Sequence, residues 1–475
     1  MTTTGRAIAG GLALTTTSAV LFVLAAPQTG VWPLVFVAFV PMLVAQNRVL
    51  PVRWSGLALA IGFGGYLVDI LWNTFLPGQR WVFVPLVLGL FASGRWSRTV
   101  WEATGRRHLW AEPVVWTAVL FLLGLTPIAS WVDPAYALYH QARLIQPVSL
   151  VGIAGLNLVI VLANYALAGL VIAHGRVRLV SAGVIAAIAA GWFGVSLLMF
   201  ANAEAGPALR VAAVQAGIRD PRSPVGDSAR LAVLTRTLDQ LSSATEKASA
   251  RGARLVIWPE EVLRYVGLSP TFYPDLHQLV VGTPVVVVTG YTEDPTRYNR
   301  AMLITTSAVP ALVYDKQHPV TFQGDHSIGG PVRVARTDLG RIAPIICYDL
   351  DYPDTARAAV RAGAQLLAVP SWDWSGIARQ HYTHLVFRAV ENGVPAVKAD
   401  TAWDSAIVDS DGRIRSRLVS TAGEAGVLVA DVHLGTGTTF YTRHGDLLAW
   451  STVALAGLWS AFAAFAVARG RRATG

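Results

Sequence analysis

Three places in the sequence deliver a reactive side chain at the end of an apolar run. Val256-Ile257-Trp258-Pro259-Glu260-Glu261 ends in two carboxylates, Val313-Tyr314-Asp315-Lys316-Gln317-His318 carries an ammonium, and Pro344-Ile345-Ile346-Cys347-Tyr348-Asp349 carries a thiol. Chemistry concentrates where buried strands run out into loops. Taken singly, each site has an ordinary reading: a surface acid, a lysine paired in a turn, a cysteine buried as a small hydrophobe. Taken together they meet one need. A thiol nucleophile requires a base to take its proton and a cation to favour thiolate and oxyanion. A carboxylate, from Glu260 or Glu261, and a lysine, Lys316, supply these without histidine. Cys347 is the only cysteine of the chain, so no intramolecular disulfide exists. Lys316 is one of only three lysines, with Lys247 and Lys398, among 38 basic residues.

The elements that must position these groups fall into two contrasting stretches. The chain has 475 residues, 53% hydrophobic and 14% charged, with a net charge of +9. Ordinary soluble domains carry roughly 25% charged residues. Mean hydropathy is +0.47. This excludes a disordered chain, a coiled coil and a basic nucleic-acid-binding domain, and no nucleic-acid partner is expected. Only five of the 29 acidic residues lie within 1–208: Asp69, Glu102, Glu112, Asp133 and Glu204. An apolar front half therefore precedes a polar second half.

Apolar stretches near 7–26, 31–46, 54–75, 81–93, 113–132, 149–173 and 179–201 read as membrane spans, and 447–468 as an eighth. The first lacks a charged leader and a clear cleavage site, so it is expected to be retained. Twelve arginines, at 6, 48, 53, 95, 98, 106, 107, 176, 178, 469, 471 and 472, fall on one side of these spans, against Arg80 and Arg143 on the other. The positive-inside rule then places both termini in the cytoplasm and the polar insert outside it. Trp32, Trp54, Trp81, Trp131 and Trp450 sit at span ends, as an interfacial belt requires. The expected domains are 1–208, seven membrane helices; 209–433, the catalytic insert; and 434–475, a last span with a basic cytoplasmic tail.

Within the insert, strand candidates at 209–215, 253–258, 284–290, 301–306, 311–315, 341–347, 364–369, 394–398 and 426–431 alternate with helices. Asp227 caps a helix whose apolar face is Leu231, Leu234, Leu238 and Leu241; 352–362 and 377–392 are further helices. Mixed strands and amphipathic helices predict a layered α/β domain.

W-P-E, then Y-D-K with its lysine 56 residues after Glu260, then C-Y-D with its cysteine 31 residues further on, resembles the carbon–nitrogen hydrolase (nitrilase) superfamily. Seven spans before that domain and one after resemble its membrane-embedded branch, the apolipoprotein N-acyltransferases. The resemblance covers essentially the whole chain. It implies a polytopic α-helical membrane domain plus an αββα-sandwich α/β domain on the extracytoplasmic face of a bacterial plasma membrane. It also implies Glu260 as general base, Lys316 as oxyanion stabiliser and Cys347 as nucleophile. The implied reaction takes an acyl chain from a membrane phospholipid to the N-terminal amine of a diacylated prolipoprotein, through a thioester. No cofactor or metal is implied, and a monomer is the working expectation.

Further residues follow from the same resemblance. Tyr348 and Asp349 follow the nucleophile as in the family. Trp374 falls where the acyltransferases carry a tryptophan in N-D-A-W-F-G, although Ser371-Trp372 replaces the Asn-Asp pair. Arg388-Ala389-Val390-Glu391 resembles the family's R-A-x-E helix, with a salt-bridged structural helix as the alternative. After the lysine the family reads K-x-H-x-V-P-F-G-E; here the acid, Asp325, comes one residue late and is shorter. Cys347 to Asp354 reads C-Y-D-L-D-Y-P-D, closer to soluble amidases. A membrane-tethered amidase, with water in place of the lipoprotein amine, is therefore the rival reading, and a non-enzymatic scaffold the third. Val262, Leu263, Tyr265, Val266 and Leu268 are candidates for the lipid-facing mouth, with ordinary core as the alternative. Asp69 is an intramembrane acid and so a functional candidate, or one that reaches the interface. Asn157 and Asn164 read as interhelical hydrogen-bonding residues. His318, His326, His381 and His384 do not form a convincing zinc spacing.

Overall fold

The computed structural model describes residues 3–475 apart from 76, 203–205, 220–226, 265–284, 294–297, 306–309, 322–323 and 475. The chain divides into two units, Met1–Ala201 with Asp446–Gly475, and Asn202–Gly445.

The first unit is helical, as its apolar composition dictates. Six described segments are long and apolar enough to cross a membrane: Thr3–Ala25, Trp32–Val49, Val52–Leu71, Val148–Ile172, Arg176–Ala201 and Leu447–Gly470. Two more helices, Phe83–Thr104 and Arg106–Gly124, carry charge toward one end. The first of these runs eleven residues past the expected span 81–93, because Arg continues a helix about as well as Leu and Ser and Thr cost it only about half a kcal/mol each. The second starts earlier than 113 and stops at Gly124; Ala129–Val132 is a separate turn. Trp131 in that turn is buried rather than interfacial. Asp69 is exposed and lies two residues from the end of the helix Leu57–Leu71. Asn164 stitches broken backbone: its amide oxygen accepts from Phe39 N–H (3.0 Å) and its nitrogen donates to Val35 C=O (2.8 Å). Asn157 likewise accepts from Ala135 N–H at 3.1 Å. Both groups spare a backbone amide or carbonyl the cost of lying unpaired among apolar helices.

The second unit is built on two sheets. One contains β1 (Ala208–Ala216), β2 (Leu255–Ile257), β3 (Leu263–Arg264), β4 (Val286–Glu293), β5 (Tyr298–Ile304), β6 (Pro310–Asp315) and β13 (Ala425–His433). Its order is β13-β1-β2-β4-β5-β6, with β3 beside β4. The other contains β7 (Ala335–Thr337), β8 (Gly340–Pro344), β9 (Leu366–Ser371), β10 (Ala396–Asp400), β11 (Asp404–Val408) and β12 (Ile414–Val419), in the order β12-β11-β10-β9-β8-β7. Strand alternation divides the core. Val211, Ala213, Leu255, Ile257, Val286 and Val288 face Ile342, Leu366, Ala368, Val397 and Ile407 between the sheets. Ala212, Val214, Val256, Trp258 and Val287 face outward onto Leu241 and Ala248 of the helix Asp227–Ala250. Helix His381–Asn392 packs on β10 and β11. This is an αββα sandwich. The short β3, β7, β11 and β12 lie outside the apolar runs singled out above: β3 and β7 have only two or three residues, β12 is a polar edge strand, and β11, though buried, opens on Asp404-Ser405 and so shows little apolar run.

Candidate active site

Four strand ends converge. After β2, Pro259 leads into Glu260, whose N–H donates to Ser371 C=O of β9 at 3.3 Å. Gly290 of β4 lies directly beneath: a Cβ there would sit 2.5 Å from Glu260 Cα, so only glycine admits the turn. After β6, Lys316 is held by its N–H donating to Asn299 C=O at 3.2 Å. After β8 the chain does not continue as strand to residue 347. The strand ends at Pro344, and Cys347 opens a short helical turn, Cys347–Asp351. Its φ is +44°, in the left-handed region costly for any residue with a Cβ. That sharp turn is what projects the sulfur out of the sheet.

Lys316 Nζ donates to Glu260 Oε1 at 2.8 Å and to Asp325 Oδ2 at 2.7 Å. Asn299 Nδ2 donates to the same Glu260 oxygen at 2.6 Å, and Trp372 N–H to the other at 2.9 Å. The Trp372 carbonyl lies 3.8 Å from Cys347 Sγ, so one residue's backbone touches both carboxylate and thiol. Glu260, Lys316 and Cys347 are all buried.

The electrostatics follow from that burial. Desolvation pushes the Glu260 carboxyl up, with Lys316 pulling it back and Asp325 adding to the rise. Burial pulls the Lys316 ammonium down, but the Asp325 and Glu260 carboxylates outweigh it and the net shift is well upward. Burial also works against the Asp325 charge, yet Lys316 carries its pKa below the ordinary value. The Cys347 thiol is pushed well up by burial, then by Glu260 and Asp373. The resting nucleophile is therefore a thiol, set beside a carboxyl group of raised basicity and an ammonium held by two acidic side chains.

Asp349 ties the pieces together. Its Oδ1 accepts from the Gln317 and His318 N–H groups (3.0 and 2.7 Å), and its Oδ2 from Tyr314 O–H and Ile346 N–H (2.7 and 2.9 Å). One carboxylate thus joins the lysine loop to the cysteine turn. Tyr348 lies half-buried, its hydroxyl accepting from Tyr352 O–H at 3.1 Å. Trp374 lies in the loop after β9, its carbonyl accepting from Ile377 N–H at 3.0 Å. Glu391 pairs with Arg388 at 3.1 Å inside its own helix, both fully buried, and its carbonyl accepts from Thr439. Val262 and Leu263 are core residues packed with Trp258 and Tyr291; Tyr265, Val266 and Leu268 lie outside the described residues.

Sequence reasoning missed Asn299 and a second charged cluster behind the sulfur. Asp373 Oδ1 is 3.6 Å from Cys347 Sγ. Its carboxylate also meets His381 Nδ1 (2.8 Å), Lys398 Nζ (2.8 Å) and Ser371 Oγ (3.0 Å). His381 Nε2 is 3.1 Å from Asp351, which also meets His384 Nδ1 at 2.6 Å. The scarcity of lysine was the available signal for Lys398. Donor atoms of Asp351, His381 and His384 all lie within 4.8 Å of one another, as a metal site would require. The chemistry points elsewhere. Both nitrogens of His381 face carboxylates, Nδ1 on Asp373 and Nε2 on Asp351, an arrangement that favours the imidazolium. Burial lowers its pKa, but Asp373 and Asp351 outweigh that and raise it to about 10. His318 stacks on Tyr352 at 3.7 Å and bonds Thr355. His326 gives its carbonyl to Asn299 N–H.

The sandwich brings a carboxylate, a lysine and a cysteine together at its strand ends, and residues 210–441 match the family model described as carbon-nitrogen hydrolase. Residues 18–166 match that of the apolipoprotein N-acyltransferase N-terminal domain. The apolipoprotein N-acyltransferase of Geobacter metallireducens is 28% identical over 507 residues, spanning 94% of each chain. That of Gloeobacter violaceus is 28% identical over 504 residues, 95% of this chain and 93% of the relative. Among solved structures, Saccharomyces cerevisiae Nit3, a member of branch 10 of the nitrilase superfamily, is similar at 18% identity with a TM-score of 0.42, covering 51% of this chain and 96% of Nit3. The chain belongs to the apolipoprotein N-acyltransferase family, and is a bacterial membrane protein of acyltransferase type.

Proposed function

We propose that this protein transfers a fatty acyl chain from a membrane phospholipid to the N-terminal amine of diacylglyceryl-cysteine lipoproteins, with Glu260, Lys316 and Cys347 as its catalytic residues. The observation that carries the reading is the buried Lys316–Glu260 pair joined through the Trp372 backbone to the Cys347 sulfur. Glu260 takes the thiol proton as sulfur attacks the acyl carbonyl carbon of the donor ester. Lys316 stabilises the oxyanion, with backbone N–H groups at the cysteine turn adding to it. The C–O bond then breaks, Glu260 returns its proton to the leaving alkoxide, and lysophospholipid departs. The thioester is next attacked by the lipoprotein α-amine. Its C–S bond breaks, the amide forms, and the amine's proton passes through Glu260 to restore the thiol. This is covalent, two-stage catalysis.

Asp325 supports the site by sharing the lysine charge, and Asp349 by fixing the lysine loop against the cysteine turn. Residues 1–208 and 434–475 anchor the chain, and 209–433 carry the chemistry. The asymmetry of arginines orients both termini to the cytoplasm and the catalytic unit outside it. The protein works as a monomer.

The test is intact-mass spectrometry of the purified protein incubated with phospholipid, comparing wild type with Cys347→Ala. Expected is a mass gain of one acyl chain, absent in the variant and discharged by a diacylated lipopeptide with the amine. An adduct discharged by water alone would support a tethered amidase-type hydrolase. No adduct with lipid untouched would overturn the phospholipid donor.

A further inference from the structure

The sulfur of Cys347 lies between two separate charged systems. On one side are Glu260, Lys316 and Asp325, already placed in the reaction. On the other is a fully buried chain that the reaction scheme leaves unused. Asp373 Oδ1 lies 3.6 Å from the sulfur in hydrogen-bonding geometry. Asp373 is itself fixed from four directions. Lys398 of β10 and His381, the first residue of the helix before β10, pair with it at 2.8 Å each. Ser371 Oγ donates to it at 3.0 Å, and its own N–H donates to Asp400 Oδ2 at 2.9 Å. Lys398 is held in turn by the Asp404 carboxylate and by the Asp404 carbonyl at 2.8 Å. His381 is held by Asp351 at 3.1 Å. All of these side chains are buried. Such a network is costly to bury unless its geometry is used.

We propose that Asp373 is a positioning residue for Cys347: anchored by Lys398 and His381, its carboxylate accepts the S–H, fixes the thiol rotamer and keeps the sulfur protonated until substrate and Glu260 are aligned. The inference rests on Cys347 being the nucleophile. The physical argument is distance and sign. A carboxylate at 3.6 Å favours the neutral thiol over the thiolate, because like charges this close repel in a poorly hydrated site. The cations that offset it hold the carboxylate directly: Lys398 pairs with Asp373, and a His381 ring nitrogen lies within 4.8 Å of both the sulfur and the Asp373 carboxylate, against 3.6 Å from carboxylate to sulfur. Charged groups around the thiol are Glu260 from the β2 end, Lys316 from the β6 end with Asp325 behind it, and Asp373 from the β9 end. His381 and Lys398 stand behind Asp373, and Asp351 and Asp349 follow the cysteine in its own turn. Asp373 is also a poor base. Burial works against its charge, yet His381 and Lys398 hold its carboxyl well below the ordinary range. It therefore accepts a hydrogen bond without taking the proton, which leaves abstraction to Glu260. A thiol held protonated in this way also resists oxidation and chance alkylation, which need the thiolate.

Because Cys347 is the only cysteine, iodoacetamide labelling of the full-length protein in detergent reads one site by mass. The experiment follows labelling rate against pH for wild type, Asp373→Asn, and the double variant Asp373→Asn/Lys398→Met, which removes the buried pair as a neutral unit. Folding is checked by thermal melting. Asp373→Asn is expected to move the labelling inflection down by about one pH unit, giving about tenfold faster labelling at pH 7, while acyl transfer falls. The double variant should keep an inflection below wild type, because the nearer of the two charges was negative. An unchanged or raised inflection in a folded variant would overturn the proposal, showing Asp373 to be structural only. If Cys347 proved not to be the nucleophile, Cys347→Ala would retain acyl transfer, a result distinguishable from any of these pH profiles.

Discussion

Asp349→Asn is the change whose consequences the structure defines most closely. The carboxylate is fully buried and accepts four hydrogen bonds, two on each oxygen. Burial pushes its pKa up, and the donors around it pull back. In asparagine the amide oxygen still serves Gln317 and His318. The amide nitrogen then faces Tyr314 O–H and Ile346 N–H. The tyrosine hydroxyl can rotate and accept; the Ile346 N–H cannot. A stranded buried donor costs about 1–3 kcal/mol. Loss of charge assistance on the remaining bonds raises the total to about 2–4 kcal/mol. For a unit of this size that lowers the melting midpoint by about 5–15 °C. The effect on rate is separate. Asp349 links the Lys316 loop to the turn in which Cys347 sits at φ +44°, and a shift of about 1 Å in such a pair costs about 100-fold in turnover. Tryptophan-fluorescence melting in detergent, with turnover on a phospholipid and a diacylated lipopeptide, measures both. An asparagine variant that melts and turns over like wild type would refute the reasoning.

Four further outcomes follow from the same geometry. Lys316→Met leaves Glu260 and Asp325 facing each other without their cation, so one carboxyl takes up a proton and single-turnover acylation falls by about 10²–10³-fold; a variant within tenfold of wild type would exclude this role. The raised Glu260 pKa makes acylation increase with pH through a midpoint above the 4.5 of an ordinary glutamate, since the base must be unprotonated; a stopped-flow pH profile with its midpoint at or below that value would contradict it. Gly290→Ala drives a methyl to 2.5 Å from Glu260 Cα and 3.1 Å from Glu261 N, and should cost about 1–3 kcal/mol with loss of activity, whereas Gly183→Ala, with open space around it, should do neither in the same melting and turnover assays. His381 has its pKa raised from 6.5 to about 10, so its contribution to stability is fully present below the unfolded value and lost as pH rises through about 10. Melting midpoints should therefore fall across that window in wild type and fall less in His381→Asn.

The sequence carried the outline of the site because each reactive group follows a buried strand, and buried strands are visible as short apolar runs. Leu255–Ile257, Pro310–Asp315 and Gly340–Pro344 were legible for that reason. Asp325 was marked by its place after the lysine, and the structure puts its carboxylate 2.7 Å from Lys316 Nζ despite the extra residue, because the chain folds back through a turn at Val320 whose N–H also bonds Asp325. What remained hidden were groups that sit on other strands. Asn299 comes from β5, next to the edge of the first sheet, and Lys398 from β10, eighty-two residues beyond Lys316; neither has a neighbour in sequence that announces its role.

Composition and hydropathy alone determined that the chain is a membrane protein with a polar α/β insert, because exclusion of charge over long stretches is a one-dimensional property. Order of motifs along the chain determined which family it resembles. Only tertiary structure decided that Glu260 bonds the Trp372 amide while the same residue's carbonyl faces Cys347, and that Asp373 stands on the far side of the sulfur. The physical reason is that strand register and turn geometry set distances of a few ångströms between residues 25 to 112 apart in sequence. Burial then converts those distances into charge states that exposed groups of the same types would not have.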